Sequence, residues 1–193
     1  MSAIKRICQF LFFAMALILL PLSSAHALFI ELEPSKTEVA KGGIFTIDVI
    51  ANDVFGGLDS FEEVLAFGFD VFVSDTSIVN YLGAMVAAPF DNDSGFFPNT
   101  DVAGSVFPGI PNDSANDTIL LATLGFEALA EGKSSLGIQS DLSDFNEGLI
   151  YFLSAPADIT TSINITVPEP ASLALMVIGI AGLGASRWRK YGR

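Results

Sequence analysis

The sequence predicts an all-β protein, an antiparallel β-sandwich set between two apolar end segments. Three observations predict it. Between residues 28 and 167, apolar side chains recur at period two in short runs that Gly, Asp, Asn and Pro separate. No stretch of that region keeps a helical period. Outside it stand two uncharged apolar segments, each next to a small cluster of basic residues.

The first end segment reads as an export signal. Lys5 and Arg6 precede an apolar core from Ile7 to Leu20, broken only by Gln9. Pro21 ends it, and Ala25 and Ala27 stand in the A-x-A arrangement of a cleavage site, so residues 1–27 are expected to leave the mature chain as a signal peptide. The same residues also admit a retained membrane anchor. Cys8 precedes the apolar run instead of following it, which argues against a lipid attached there. Cleavage after Ala27 removes Cys8 and His26, the chain's one cysteine and one histidine. An exported domain of about 140 residues buries enough surface to stand without disulfides.

The central domain is drawn from 28 to 166. "LFIELEP" (28–34) alternates and stops at Pro34. "GGIFTIDVIAND" (42–53) places Ile44, Thr46, Asp48 and Ile50 on one face and Phe45, Ile47 and Val49 on the other, and the second face is the one predicted to be buried. "VLAFGFDV" (64–71) repeats the device with Leu65, Phe67 and Phe69. The runs at 77–86, 117–129, 133–140, 147–154 and 157–167 follow, and strands separated this way indicate a sandwich or barrel. A short helix at "FEEVLAF" is the rival reading, set aside because "FGFDV" continues extended. Residues 88–116 lack a strand pattern and read as long loops, a kind of segment commonly functional or mobile.

The second end segment is more compact. Pro168 and Pro170 bracket Glu169, and each proline pushes the residue before it into an extended conformation. Residues 171–186 carry no charge; as a helix they span about 24 Å, short of a hydrocarbon core of about 30 Å. Trp188 and snorkelling arginines extend such a span. Arg187, Arg189, Lys190 and Arg193 follow in the tail 187–193 and predict a cytoplasmic C-terminus, with the acidic domain across the membrane.

Two resemblances follow from these residues. "VPEPASLAL", "MVIGIAGLGAS" and "RWRKYGR", in that order at residues 167–193, resemble the PEP-CTERM sorting signal of exopolysaccharide-producing Gram-negative bacteria. That resemblance implies recognition by an exosortase, a membrane cysteine transpeptidase, with Pro168, Glu169 and Pro170 on the substrate's side. It also implies arrival at the cell surface or extracellular matrix. "KGGIFTIDVIAND", "LAFGFD" and "ILLATLGFEALAEGKSSLGI" are similar to the second strand, third strand and late hairpin of cohesin-like domains, which implies a jelly-roll sandwich. Such a fold serves as an adhesive or spacer unit and does not by itself carry a partner's identity.

Charge and residue content narrow the function. From 28 to 167 there are three basic residues (Lys36, Lys41, Lys133) and 21 of the chain's 22 acids, which excludes nucleic acid as a partner. Without imidazole or thiol, the mature domain has no Ser-His-Asp or Cys-His arrangement and no imidazole metal site. A carboxylate pair is still enough for glycoside hydrolysis, but no pair stands out among so many acids. The reading is therefore non-enzymatic. "DNDSG" (91–95) sets Asp91 and Asp93 in a D-x-D-x-G pattern able to wrap calcium, and "PNDSAND" (111–117) adds acids if the loops meet. Val102 stands where an EF-hand needs its glutamate, and the same residue types also simply build turns. Phe90, Phe96, Phe97 and Phe107 lie in the 88–116 loops, either to stack on sugar rings of an exopolysaccharide, to meet a surface protein, or to cap the sandwich.

Overall fold

The computed structural model describes residues 28–113 and 117–169. Within them the alternating runs pair into two antiparallel sheets. β1 (Phe29–Pro34), β2 (Ile44–Asn52), β7 (Thr118–Ala128) and β4 (Val79–Val86) make the first, in the order β1-β2-β7-β4. The second runs β10-β8-β3-β6-β5, from β10 (Thr161–Val167), β8 (Gly132–Gln139), β3 (Glu63–Val73), β6 (Val102–Pro111) and β5 (Asp91–Asn92), with β9 (Gly148–Tyr151) also on β3. Among the described residues the one helical element is a single 3-10 turn, Ser94–Phe96. The protein is an all-β antiparallel sandwich, as predicted.

The inner faces meet in one core. β2 buries Phe45, Ile47, Val49 and Ala51, the face that alternation selects. β7 answers with Leu121, Ala122, Leu124 and Phe126. Leu121 and Ala122 are consecutive yet both buried, because the ladder to β2 slips one residue there. Phe126 stacks on Phe45 at 5.5 Å between ring centroids. From the second sheet come Phe67, Phe69, Leu136, Ile138, Leu149, Ile165 and Val167. Enclosing side chains of this size contributes about 1.5–3 kcal/mol each, before the cost of ordering the chain.

Two expectations need correction. The first is the face given to Leu65. Val64 is the buried residue and Leu65 is half-buried, while Phe67 and Phe69 point inward as expected. The ladders from β3 to both β6 and β9 shift between Val64 and Ala66, so Leu65 is an extra residue and the alternation changes phase across it. The second is the 88–116 loop, which contains β5 and the ten-residue β6 paired with Glu63 to Phe69 of β3. Along β6, Ser105 pairs with Ala66 and Ile110 with Val64, so Val106 to Gly109 leave the ladder as a bulge. Phe90 belongs to the core, edge-on to Phe67 at 4.9 Å.

Each sandwich has two ends, and here they differ. One gathers the β1–β2 connection (35–43), the β3–β4 connection (74–78), the β7–β8 turn and the exit of β10; we call it the tail pole. It is closed by Leu129 N–H donating to Ile78 O, Gly42 N–H to Ala128 O and Val39 N–H to Thr166 O. The other gathers residues 53–62, 111–113 and 152–154. There Tyr151 Oη donates to Val54 O at 2.7 Å, and Asn112 N–H donates to Glu62 O.

Candidate functional site

The tail pole holds the first residues of the Pro-Glu-Pro segment. β10 pairs with β8 in continuous register from Thr161 opposite Ile138 to Val167 opposite Gly132. Its other side is held at the end, where Thr166 bridges Glu38 in parallel and accepts the Val39 N–H. Val167 is 2% exposed, and Pro168 and Glu169 immediately after it are exposed. The chain therefore passes from core strand to open proline within one residue. Proline at this point ends the strand, since it has no N–H to continue the ladder. Val167 also lies one residue beyond the domain end drawn at 166.

Pro170, the apolar run 171–186, the basic residues Arg187, Arg189, Lys190 and Arg193, and the signal-cleavage residues Ala25 and Ala27 lie outside the described residues. Among the described residues no helix is long and apolar enough to cross a membrane.

The acidic loop residues have local partners. Asp93 accepts the Ser105 hydroxyl at 2.5 Å, and its backbone N–H bonds Ala103 O. Asn92 Oδ1 accepts the Ser94 N–H at 3.0 Å, while Asp91 is exposed in β5. The same two-residue step recurs at Asp59–Phe61, Asp75–Ser77, Asp141–Ser143, Asp144–Asn146 and Asp158–Thr160, where a carboxylate accepts the N–H two positions on. These are Asx-turns. Among the described residues, no group of three or more acidic, histidine or cysteine side chains is arranged to hold a metal. Of the four loop phenylalanines, Phe90 is core, Phe97 is half-buried, and Phe96 and Phe107 are 77% and 97% exposed.

Two buried carboxylates carry no sequence signal. Glu62 accepts the Ser154 hydroxyl at 2.5 Å and the Leu153 N–H at 2.7 Å. Burial opposes its charge, but those bonds outweigh burial and hold its pKa below the ordinary glutamate value. Glu147 accepts the Asp141 N–H at 2.5 Å and the Thr100 hydroxyl at 3.4 Å. Burial raises its pKa, and the charges of Asp70, Asp144 and Asp141 add to the rise despite the Asp141 N–H. The loop holding Glu147 sits tightly on β3: a Cβ at Gly68 would strike the Asn146 carbonyl. Beside it, a cavity of about 230 Å³ over Ala66 and Ser105 is walled by Phe97 and Asn146. That is smaller than pockets that enclose a small molecule.

Comparison with known proteins agrees with the sorting-signal resemblance. Residues 166–190 match the PEP-CTERM protein-sorting motif, so the match opens on the last two residues of β10. No curated protein sequence matches the chain. Among solved structures, the chain is similar to a cohesin module from a Clostridium perfringens family 33 glycoside hydrolase, at 12% identity and a TM-score of 0.48 over 74% of this chain and 96% of that one. It is also similar to a type II cohesin domain from the Acetivibrio cellulolyticus cellulosome, at 14% identity and a TM-score of 0.44 over 72% and 95% of the two chains.

Proposed function

We propose that this protein is a non-enzymatic exported sandwich, delivered to the cell surface or extracellular matrix through its C-terminal sorting signal. The signal peptide 1–27 starts export. The apolar segment 171–186 then holds the precursor in the membrane, with the basic tail 187–193 inside. An exosortase acts at Pro168-Glu169-Pro170 and separates the domain from its anchor. The observation that carries this reading is the junction. The motif opens directly on the edge of a finished core, with Pro168 and Glu169 exposed beside a buried Val167. Cleavage there releases a sandwich that loses nothing from its interior.

The test is a Pro168→Ala/Pro170→Ala variant expressed in the native host, followed by mass spectrometry of the intact protein. The expected result is retention of the C-terminal segment on the variant and its loss from the wild type. Unchanged processing of the variant refutes the sorting role of these prolines.

A second reading, an adhesion module for carbohydrate or protein, draws on one observation: Phe96 and Phe107 stand almost fully in solvent. Aromatic faces of this kind can stack on sugar rings or anchor a protein partner. Retention of the domain on polysaccharide, lost in Phe107→Ala, distinguishes this reading from a plain spacer.

A further inference from the structure

The sorting motif and the fold overlap. The motif match begins at Thr166, and Thr166 and Val167 are the last two residues of β10. Both edges of the strand are taken there. On one side Thr166 stands opposite Lys133, and Val167 opposite Gly132, in the ladder to β8. On the other, Thr166 bridges Glu38 in parallel, and its carbonyl accepts the Val39 N–H at 3.3 Å. Ile165, Val167 and Val39 are each 2% exposed or less, so buried side chains hold the strand end as well as its backbone.

That closure stands against what an enzyme acting on a peptide bond needs. Such an enzyme aligns the bond by gripping the chain on both sides of it. An extended chain is gripped largely through free backbone N–H and C=O groups. Just before Pro168 the residues are Ile165, Thr166 and Val167, all paired with β8. Beyond Val167, only Pro168, Glu169 and Pro170 lead to Ala171, a stretch of at most about 14 Å. Two of those three are prolines, which have no N–H to offer. The strand end is also placed to open alone. β10 is the outer strand of its sheet, and Pro168 cannot extend its ladder. Ends of this kind open locally at less cost than the whole domain.

We propose that the end of β10, Ile165 to Val167, is a strap that must peel from β8 and from Glu38–Val39 before the tail is cut, so that the fold itself gates its processing. The proposal rests on the exosortase reading above and adds a regulatory step to it. Peeling frees the backbone groups of three residues beside the prolines and lengthens the open chain by about 10 Å. The enzyme then takes the strap as an added strand in its own cleft. After the cut, Ile165 and Val167 return to the core and the sandwich closes.

The experiment expresses the full chain in the native host, in a Cys8→Ser background, with the strap bonded shut. Lys133→Cys/Thr166→Cys puts two thiols at directly opposed positions on the outer face, a separation that a disulfide spans. Ser135→Cys/Asn164→Cys makes the same kind of bridge further up the ladder and leaves Ile165 to Val167 free to peel. Lys133→Ser/Thr166→Ser is the control without a bridge. Alkylation before and after reduction confirms each disulfide, and intact mass reads how much protein retains residues 171–193. The expected result is loss of processing in the oxidised 133–166 variant and its return on reduction. The 135–164 and serine variants are expected to be processed like the wild type. Wild-type processing of the bridged 133–166 variant overturns the strap while leaving the sorting signal in place. So does a loss that reduction does not relieve, or a loss shared by the 135–164 or serine variant, since neither of those closes the strap. A wild type that keeps its tail overturns the exosortase reading and the strap with it.

Discussion

The two ends of the sandwich are built from different materials. At the tail pole the connections are short or fixed by backbone hydrogen bonds, and Ile44 and Leu129 are its exposed large apolar side chains. At the opposite pole Phe61, Phe107, Phe152 and Leu153 are exposed, and Asp59, Glu62 and Glu63 lie among them. The first end is where a core strand becomes the tail. The second is free of that duty and can tolerate aromatic, acidic loops. The proposed anchoring through the C-terminus places its demand on the first end alone.

The sharpest way to break that contrast is to truncate side chains at each end. Ile165 is 1% exposed in β10, three residues before Pro168, where the sorting motif becomes exposed. Ile165→Ala is expected to cost about 2–5 kcal/mol, the lost burial plus a cavity. Phe107→Ala and Phe152→Ala, on exposed rings, are expected to change stability by less than about 0.5 kcal/mol. Urea unfolding of the three variants measures both. Equal losses at the two ends would remove the distinction between them.

The same contrast marks what sequence reading could reach. Phe45, Ile47 and Val49 are legible because nothing interrupts the period-two pattern of β2. Leu65 is misread because the extra residue in β3 shows itself only through its partners on β6 and β9. β6 hides behind Gly104, Pro108, Gly109 and Pro111, residues that mark loops, while Val106 to Gly109 bulge away from the ladder. The sorting motif is legible for the opposite reason: its residues are contiguous and need no fold to assemble them. Glu62 has no such advantage, since its partners lie 91 and 92 positions further on.

Glu62 gives the next largest effect and belongs to the open pole. Glu62→Ala leaves the Leu153 N–H and Ser154 hydroxyl without their acceptor and is expected to cost about 1–3 kcal/mol at neutral pH. The effect also depends on pH. The folded protein holds Glu62 below its ordinary value of 4.5, and Asp158 below 3.8, where the Thr160 hydroxyl is the main cause. Folding then favours the ionised forms: their contribution is complete above those values and is lost as pH falls through the lower folded ones. Glu147, raised, runs the other way. Its contribution is present below 4.5 and is lost as pH rises through the raised value. Stability measured from pH 7 down to 3 is expected to fall less steeply in Glu62→Ala than in the wild type. A parallel curve would mean that Glu62 titrates alike folded and unfolded.

The smallest expected effect concerns calcium and the loop between the poles. Asp91 and Asp93 have the spacing of cation ligands, yet the Asp93 carboxylate already takes the Ser105 hydroxyl and Asn92 Oδ1 the Ser94 N–H. Binding an ion there would compete with the Ser105 contact for Asp93, and no third acid is gathered beside the pair among the described residues. A site of millimolar affinity would add about 1.4 kcal/mol at tenfold excess calcium, raising the melting temperature of this domain by roughly 3–6 °C. We expect no rise, with or without Asp91→Asn and Asp93→Asn. A calcium-dependent shift abolished by both substitutions would make 91–95 an ion site instead of a turn, and would move the functional weight of the molecule away from its tail.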